Sequence, residues 1–523
     1  MSPIELSILV SRVEAVCGEM GAVLQKAAFS PNIKDRLDFS CALFDPKGGL
    51  YAQAAHIPVH LGSMAYAMAD IVAGVDWRAG DVLVINDPFL GGTHLPDVTM
   101  VAPLFCEGLL VSFVANRAHH ANIGSDTPGS MPVSSRIEEE GIVIPPTLIY
   151  REGEAVENLE AGLAALMVGP SSGDFSAQLS SVRVGLVRLE ALVRGFENRE
   201  SELEHLAGTR KVFAAVIEAI NEYGARMAQA LVRDIPNGVY TCSDVMDGDG
   251  FAAVDVPIKV KLTVEESTID VDFTGTSAQV EGNINCPISV AAAGVFYVFR
   301  CLLPTEVPSC AGTFGAVRIS APLGSLVNAE RPAATAAGNV ETSMRIVDVV
   351  LGALAAALPD KIPAASQGTM NNVAMGNHRS RQPWDYYETI GGGLGASIGQ
   401  PGLSAVQAHM TNTLNTPIES LESHYPLRIT TYAVRRNSGG QGQHRGGDGL
   451  VREFEFLAEA EVTLLTERRQ HRPWGLHGGG DGSAGINTLD GEQLPSKVQI
   501  KVTAGQRLKI ETPGGGAVGQ KKL

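Results

Sequence analysis

Asp87, His94 and Asp97 stand in the stretch AspProPheLeuGlyGlyThrHisLeuProAsp (87–97), a Gly/Pro-rich run that suits neither helix nor strand. His119 and His120 follow after two further apolar segments. Two imidazoles with one or two carboxylates and no thiolate make a mixed nitrogen and oxygen donor set, which suits Zn, Mn or Fe(II). An ion held this way with an open position lowers the pKa of bound water and generates a nucleophile near neutral pH. The pattern HisxxAsp is short and frequent, and a lone His or Asp in a turn is more often a hydrogen-bonding loop residue than a ligand. His119 and His120 count as one ligand between them, because neighbours on a strand point to opposite faces.

Such residues act together only if the elements around them bring them to one place. Val98 to Phe105 and Leu109 to Ala115 read as strands joined by Cys106, Glu107 and Gly108. Paired as an antiparallel hairpin, they put the residues before the first strand and after the second at the same open end, so that His94, Asp97 and His119 converge. Pro96 lacks an N–H and keeps the HisLeuProAsp segment out of a helix interior. A second hairpin is expected from Asp38 to Phe44 and Leu50 to Gln53, around AspProLysGlyGly (45–49). It places Asp38 at its open end with His56 beside it, which makes Asp38 a candidate fourth ligand.

Elsewhere, helical spacing of apolar residues predicts helices over 4–28 and 63–75, a long helical block over 156–232 interrupted by GlyProSerSerGlyAspPhe (169–175), and helices over 290–303 and 341–358. Strands are expected over 82–85, 239–243, 252–264 and 267–273, and short glycine-punctuated strands over the last hundred or so residues. The expected architecture is α+β and multi-domain: a metal-site region over 1–155, a helical block over 156–235, a central α+β region over 236–425 and a β-rich, Gly-rich region over 426–523.

The 523 residues, 45% apolar and 19% charged, fit a well-packed globular protein of roughly two to four domains. A formal net charge of -17, with no basic stripe to offset it, argues against nucleic acid as a partner. The longest apolar runs fall short of the roughly 20 residues of a membrane span, and the N-terminus lacks a secretory signal, so a cytoplasmic location without membrane contact is expected. Seven scattered cysteines without a CxxC pair read as reduced core thiols. GlyGlyGlyLeuGlyAla (391–396) lacks the strand-to-helix setting and Walker lysine of a nucleotide loop. Glu138, Glu139 and Glu140 read as a solvated charge run, and His409, Asn412, Glu419 and Glu422 as a polar cluster that could line a pocket, with capping and turn roles the commoner reading.

Several colinear segments carry a resemblance. They include SerProAsnIleLysAspArgLeuAspPheSer (30–40), HisIleProValHisLeuGlySerMet (56–64), AsnAspProPheLeuGlyGlyThrHisLeuProAsp (86–97), AsnArgAlaHisHisAlaAsnIleGly (116–124) and GlyAsnValGluThrSerMetArgIleValAsp (338–348). Towards the C-terminus come GlyGlyGlnGlyGlnHisArgGlyGlyAspGly (439–449), GluArgArgGlnHisArgProTrpGlyLeu (467–476) and ThrProGlyGlyGlyAlaValGly (512–519). Together they resemble, over essentially the whole chain, the hydantoinase B family: B-type subunits of ATP-dependent hydantoinases, oxoprolinases and lactamases. Acetone and acetophenone carboxylase subunits share the module.

The resemblance implies a divalent metal (Zn, Mn or Fe) on His94, Asp97 and His119, with Asp38 joining in lactamase-like members. It puts His120 behind the ligands and leaves Asp87 and Asp126 as candidates for proton transfer. It further implies a partner, an A-type subunit of actin-like ATPase fold, that uses ATP to phosphorylate a cyclic amide, which this chain then hydrolyses within a hetero-oligomer such as a dimer of heterodimers. Phosphorylation would make the ring carbon electrophilic. The rival expectation is a subunit of an ATP-dependent ketone carboxylase.

Overall fold

The computed structural model describes residues 2–54, 56–159, 162, 171–195 and 205–520. The chain opens with α1 (Pro3–Ala27), started by a capping box in which the Ser2 hydroxyl accepts the Glu5 N–H and the Glu5 carboxylate accepts the Ser2 N–H. Its buried stripe, Leu9, Val13, Val16, Met20 and Leu24, follows the helical period. One turn, α2 (Pro31–Lys34), then leads into β1 (Phe39–Phe44) and β2 (Leu50–Gln53), the expected first hairpin. After α3 (Pro58–Ala73) come β3 (Val82–Ile85), β4 (Asp97–Cys106), β5 (Leu109–His119), β6 (Thr147–Arg151) and β7 (Glu154–Ala155).

These seven strands form one antiparallel sheet, ordered β2-β1-β5-β4-β3-β6-β7. Its central strands are buried on both faces: α1 and a helix α4 (Ser171–Arg194) supply one apolar core with them, and α3 supplies the other. α5 (His205–Arg233) follows. Within the expected helical block, Ser171 to Phe175 are helical, where a break is read from the sequence; Gly169 and Pro170 lie outside the described residues.

The second unit pairs β8 (Gly238–Gly248), β9 (Val254–Glu265), β10 (Thr268–Asp272) and β11 (Val317–Ser320). Val256, Ile258, Val260, Leu262 and Val264 alternate along β9 and bury one face against α8 (Ser343–Ala357), which α6 (Ile288–Leu302) packs upon in turn, with the short α7 (Ala311–Phe314) between those helices in sequence. α8 is preceded by one π-helical turn, Gly338–Thr342. A third sheet orders β13 (Trp384–Glu388), β12 (Asn372–Asn377), β16 (Ala460–Leu465) and β19 (Lys497–Val502), and a fourth β14 (Leu427–Arg435), β15 (Gly449–Phe456), β20 (Arg507–Glu511), β17 (Ile486–Leu489) and β18 (Glu492–Gln493); they complete the α+β, multi-domain architecture and share a third core. Of these strands, β12 and β13 reach the site described below. No described helix is long and apolar enough to cross a membrane. All seven cysteines are free thiols.

The glycine-rich segments pack on one another. Gly393 donates its N–H to Pro513 and Gly515 to Gly447, and a Cβ on Gly515 would lie 2.0 Å from the Leu394 carbonyl oxygen. Glycine is required there by close backbone approach.

Candidate metal centre

The β4–β5 hairpin turns through Glu107 (φ 52°) and Gly108 (φ 76°), the left-handed pair that matches strand twist in a two-residue loop. Its register makes Asp97, the first residue of β4, the direct partner of His119, the last of β5, so both side chains leave the sheet on the same face. The His119 N–H donates to the Asp38 carbonyl at 3.0 Å, which brings the start of β1 to the same end. The loop carrying His94 is pinned from behind by Asn86, whose amide donates to the carbonyls of Leu95 and Ile142 at 2.8 Å each and accepts the Ile144 N–H at 2.6 Å. Gly92 lies so close to this strand end that a Cβ would meet the Asn86 carbonyl oxygen at 2.4 Å.

His94, Asp97 and His119 therefore converge, with ligand atoms all within 4.8 Å of one another; among the described residues this is the one such grouping of three or more. Asp97 Oδ1 lies 3.2 Å from His94 Nε2 and 3.2 Å from His119 Nδ1. All three residues are buried, yet Asp97 Oδ1, His94 Nε2 and His119 Nε2 make no hydrogen bond. His94 Nδ1 donates to the Ala336 carbonyl at 3.2 Å, so in the neutral ring Nε2 carries a lone pair and faces a carboxylate oxygen. Two acceptors facing each other in a buried site need a proton or a metal cation between them, and the donor set fits a divalent metal.

Burial acts to raise the Asp97 carboxyl, but the surrounding imidazoles of His60, His94 and His119 hold it well below the ordinary carboxylate range. Burial acts against protonating His94, yet Asp97 outweighs it and the net shift is upward; for His119 burial prevails and the shift is downward.

The other oxygen of Asp97 is fully engaged. Oδ2 accepts the Thr93 hydroxyl at 2.6 Å and the Asn339 amide at 3.2 Å, and lies 3.2 Å from His60 Nε2. Asn339 comes from the π-helical turn, a local widening common at functional sites. His119 stacks on Tyr387 of β13, with centroids 4.6 Å apart and planes 9° from parallel, and the Tyr387 hydroxyl donates to Asn372 at 2.6 Å. A small cavity of ≈ 20 Å³ opens against this group, lined on the polar side by Asp38, His60, His119, Asn339 and threonines 389, 411 and 413. Such a volume holds about one water.

Asp38 is nearly buried on that wall, its Oδ1 3.9 Å from His60 Nε2 and its Oδ2 3.6 Å from the buried Arg36 guanidinium. The imidazole beside it is His60, not His56. His56 Nδ1 instead accepts the Cys41 N–H at 3.1 Å, and burial pushes its pKa down to about 4. The remaining sequence candidates lie elsewhere. His120 points to the opposite face, its Nε2 2.8 Å from Gln178 Oε1 on α4. Asp87 caps the turn at Pro88, accepting the Phe89 N–H at 3.1 Å, and pairs with Arg331. Asp126 is exposed on the loop after β5.

Glu140 is not solvated. It is buried, accepts the Ser134 hydroxyl at 2.8 Å and the N–H groups of Thr335 and Ala336 at 2.9 Å, and burial raises its pKa to about 7. It thus fixes the carbonyl that orients His94. Of the polar cluster near residue 412, Asn412 bonds the His56 carbonyl at 3.2 Å, while its neighbours Met410, Thr411 and Thr413 face the cavity.

Known proteins share this whole chain. A 5-oxoprolinase 1 of Arabidopsis thaliana is 40% identical over 99% of the chain, which spans 42% of that relative's length. A putative B-type subunit of a D-/L-hydantoinase from a Pseudomonas species is 30% identical over 99% of the chain and 90% of its own length. The crystal structure of an ATP-dependent caprolactamase from Pseudomonas jessenii superposes with a TM-score of 0.89 at 27% identity, covering 99% of this chain and 91% of that one. The model of the Hydantoinase B/oxoprolinase family matches residues 2–521, and the chain belongs to that family.

Proposed function

We propose that this chain is the metal-dependent hydrolytic component of an ATP-dependent system that opens a cyclic amide, with phosphorylation carried out by an A-type ATPase partner. The observation that carries the reading is the buried Asp97 oxygen facing two imidazoles at 3.2 Å without a hydrogen bond. His94, Asp97 and His119 would hold the ion, with Asp38 from the same cavity wall as fourth ligand. Bound there, Zn, Mn or Fe(II) would supply Lewis acidity and lower the pKa of water.

The protein's own groups set the rest. Ile57, Val59, Val340, Met370 and Met410 give the cavity its apolar lining, and Asn339 and three threonines add polar groups to it. Neither Asp87, paired with Arg331, nor the exposed Asp126 lines the cavity, so neither is placed for proton transfer there. From the phosphorylated ring, two waters are consumed. One supplies OH to the acyl carbon and H to the ring nitrogen as the C–N bond breaks, and the other releases the phosphoryl group as phosphate.

The test is a reconstituted pair of this chain and its A-type partner, assayed with ATP on hydantoins and lactams, with metal content measured. His94→Ala and His119→Ala should lose both metal and ring opening. Metal loss with turnover intact would reduce the ion to a structural role, and bicarbonate-dependent turnover of a ketone would make the chain a carboxylase subunit instead.

A further inference from the structure

We infer that His60 is the positioning residue that presents Asp97 to the ion through one oxygen only; this rests on the metal reading above. His60 is the third residue of α3, 2% exposed, and has a polar neighbour at both ring nitrogens. Nδ1 lies 3.5 Å from the Ser40 hydroxyl, which itself accepts the Ile57 N–H at 3.2 Å. The Ser40 hydroxyl lies equally 3.5 Å from the Ile57 carbonyl, so it is the carboxylate 3.2 Å from Nε2, Asp97 Oδ2, that favours the ring proton on Nε2. The ring is thus clamped between β1 and β4 in one tautomer.

Oδ2 accepts hydrogen bonds from Thr93 and Asn339 and also has His60 Nε2 against it at 3.2 Å, whereas Oδ1 has only the two imidazoles of His94 and His119 before it. The carboxylate is therefore divided: one oxygen is consumed by the protein and the other is reserved. The distance from His60 Nε2 to Asp38 Oδ1, 3.9 Å, is too long for a hydrogen bond, so the same ring leaves Asp38 available to the cavity. Groups that orient a metal's ligands through hydrogen bonds typically change affinity or activity by on the order of 10–100-fold when removed.

The experiment is a Co(II) titration of the chelator-stripped full chain, following affinity by competition and the visible d–d bands, for wild type, His60→Leu, His60→Gln and Ser40→Ala. The Gln amide nitrogen can take the place of Nε2 as donor, while Leu fills similar space without one. His60→Leu should bind Co(II) about 10–100-fold more weakly with altered bands, His60→Gln should recover most of the affinity and the wild-type bands, and Ser40→Ala should weaken binding in the same direction as Leu. Equal affinity and bands in His60→Leu would overturn the inference, as would a folded His60→Gln no better than Leu. If His60→Leu fails to fold, the pair His60→Gln and Ser40→Ala decides: wild-type binding in Ser40→Ala or loss of the bands in His60→Gln overturns it. Wild type that takes up no Co(II) would sink the metal reading itself, and this inference with it.

Discussion

At the scale of single residues, the site depends on groups that never touch the ion. Thr93 makes the shortest bond to Asp97, 2.6 Å to Oδ2. Thr93→Val keeps the shape and removes the donor, and should weaken metal binding by on the order of 10-fold, read by competition with a chromophoric chelator. Glu140 gives a pH-dependent counterpart. Its carboxyl is raised from 4.5 to about 7 by burial, so the folded state holds the proton more tightly than the unfolded chain. That contribution is complete below about 4.5 and is lost as pH rises towards about 7. Urea midpoints across this window should fall less for Glu140→Gln than for wild type; parallel curves would remove Glu140 as the titrating group. Residue types and spacing made His94, Asp97 and His119 legible, but not Glu140 or His60. A run of three glutamates does not say which one turns inward, and His56 and His60 differ only in which side of the α3 N-terminus they face.

At the scale of elements, two features hold the ligands in place: the β4–β5 hairpin and the π-helical turn before α8. The hairpin was readable from two apolar runs around Glu107-Gly108, because register follows from turn geometry and pairing. The π turn was not, since the sequence around Gly338 is compatible with an ordinary helix start. Its position depends on contact: a Cβ at Gly338 would lie 1.8 Å from the Asn285 carbonyl oxygen. Gly338→Ala should therefore push the turn away, destabilise the fold by about 1–3 kcal/mol, and move Asn339 off Asp97. Thermal unfolding together with metal affinity checks this, and a variant as stable and as tightly metal-binding as wild type would contradict it.

At the scale of the whole molecule, the site is assembled where separate units meet. The first sheet brings Asp38, Asp97 and His119, the turn before α8 brings Asn339, and the third sheet brings Tyr387. An ion bound only by the folded arrangement stabilises it by mass action, about 2.7 kcal/mol at free metal 100 times Kd. Chelation should lower the unfolding temperature of wild type and leave that of His94→Ala unchanged. A wild-type temperature indifferent to chelation would argue against a preformed ion site. Local pattern by itself determined the α+β class, both N-terminal hairpins and the candidacy of Asp38, His94, Asp97 and His119, because hydrophobic period and turn chemistry act over a few residues. Only the tertiary structure decided that Asp87 and His120 are engaged by Arg331 and Gln178, that His60 rather than His56 meets the carboxylates, and that Glu140 is buried. Those outcomes turn on which side chains from distant segments share a low-dielectric space, and no short window of sequence contains that information.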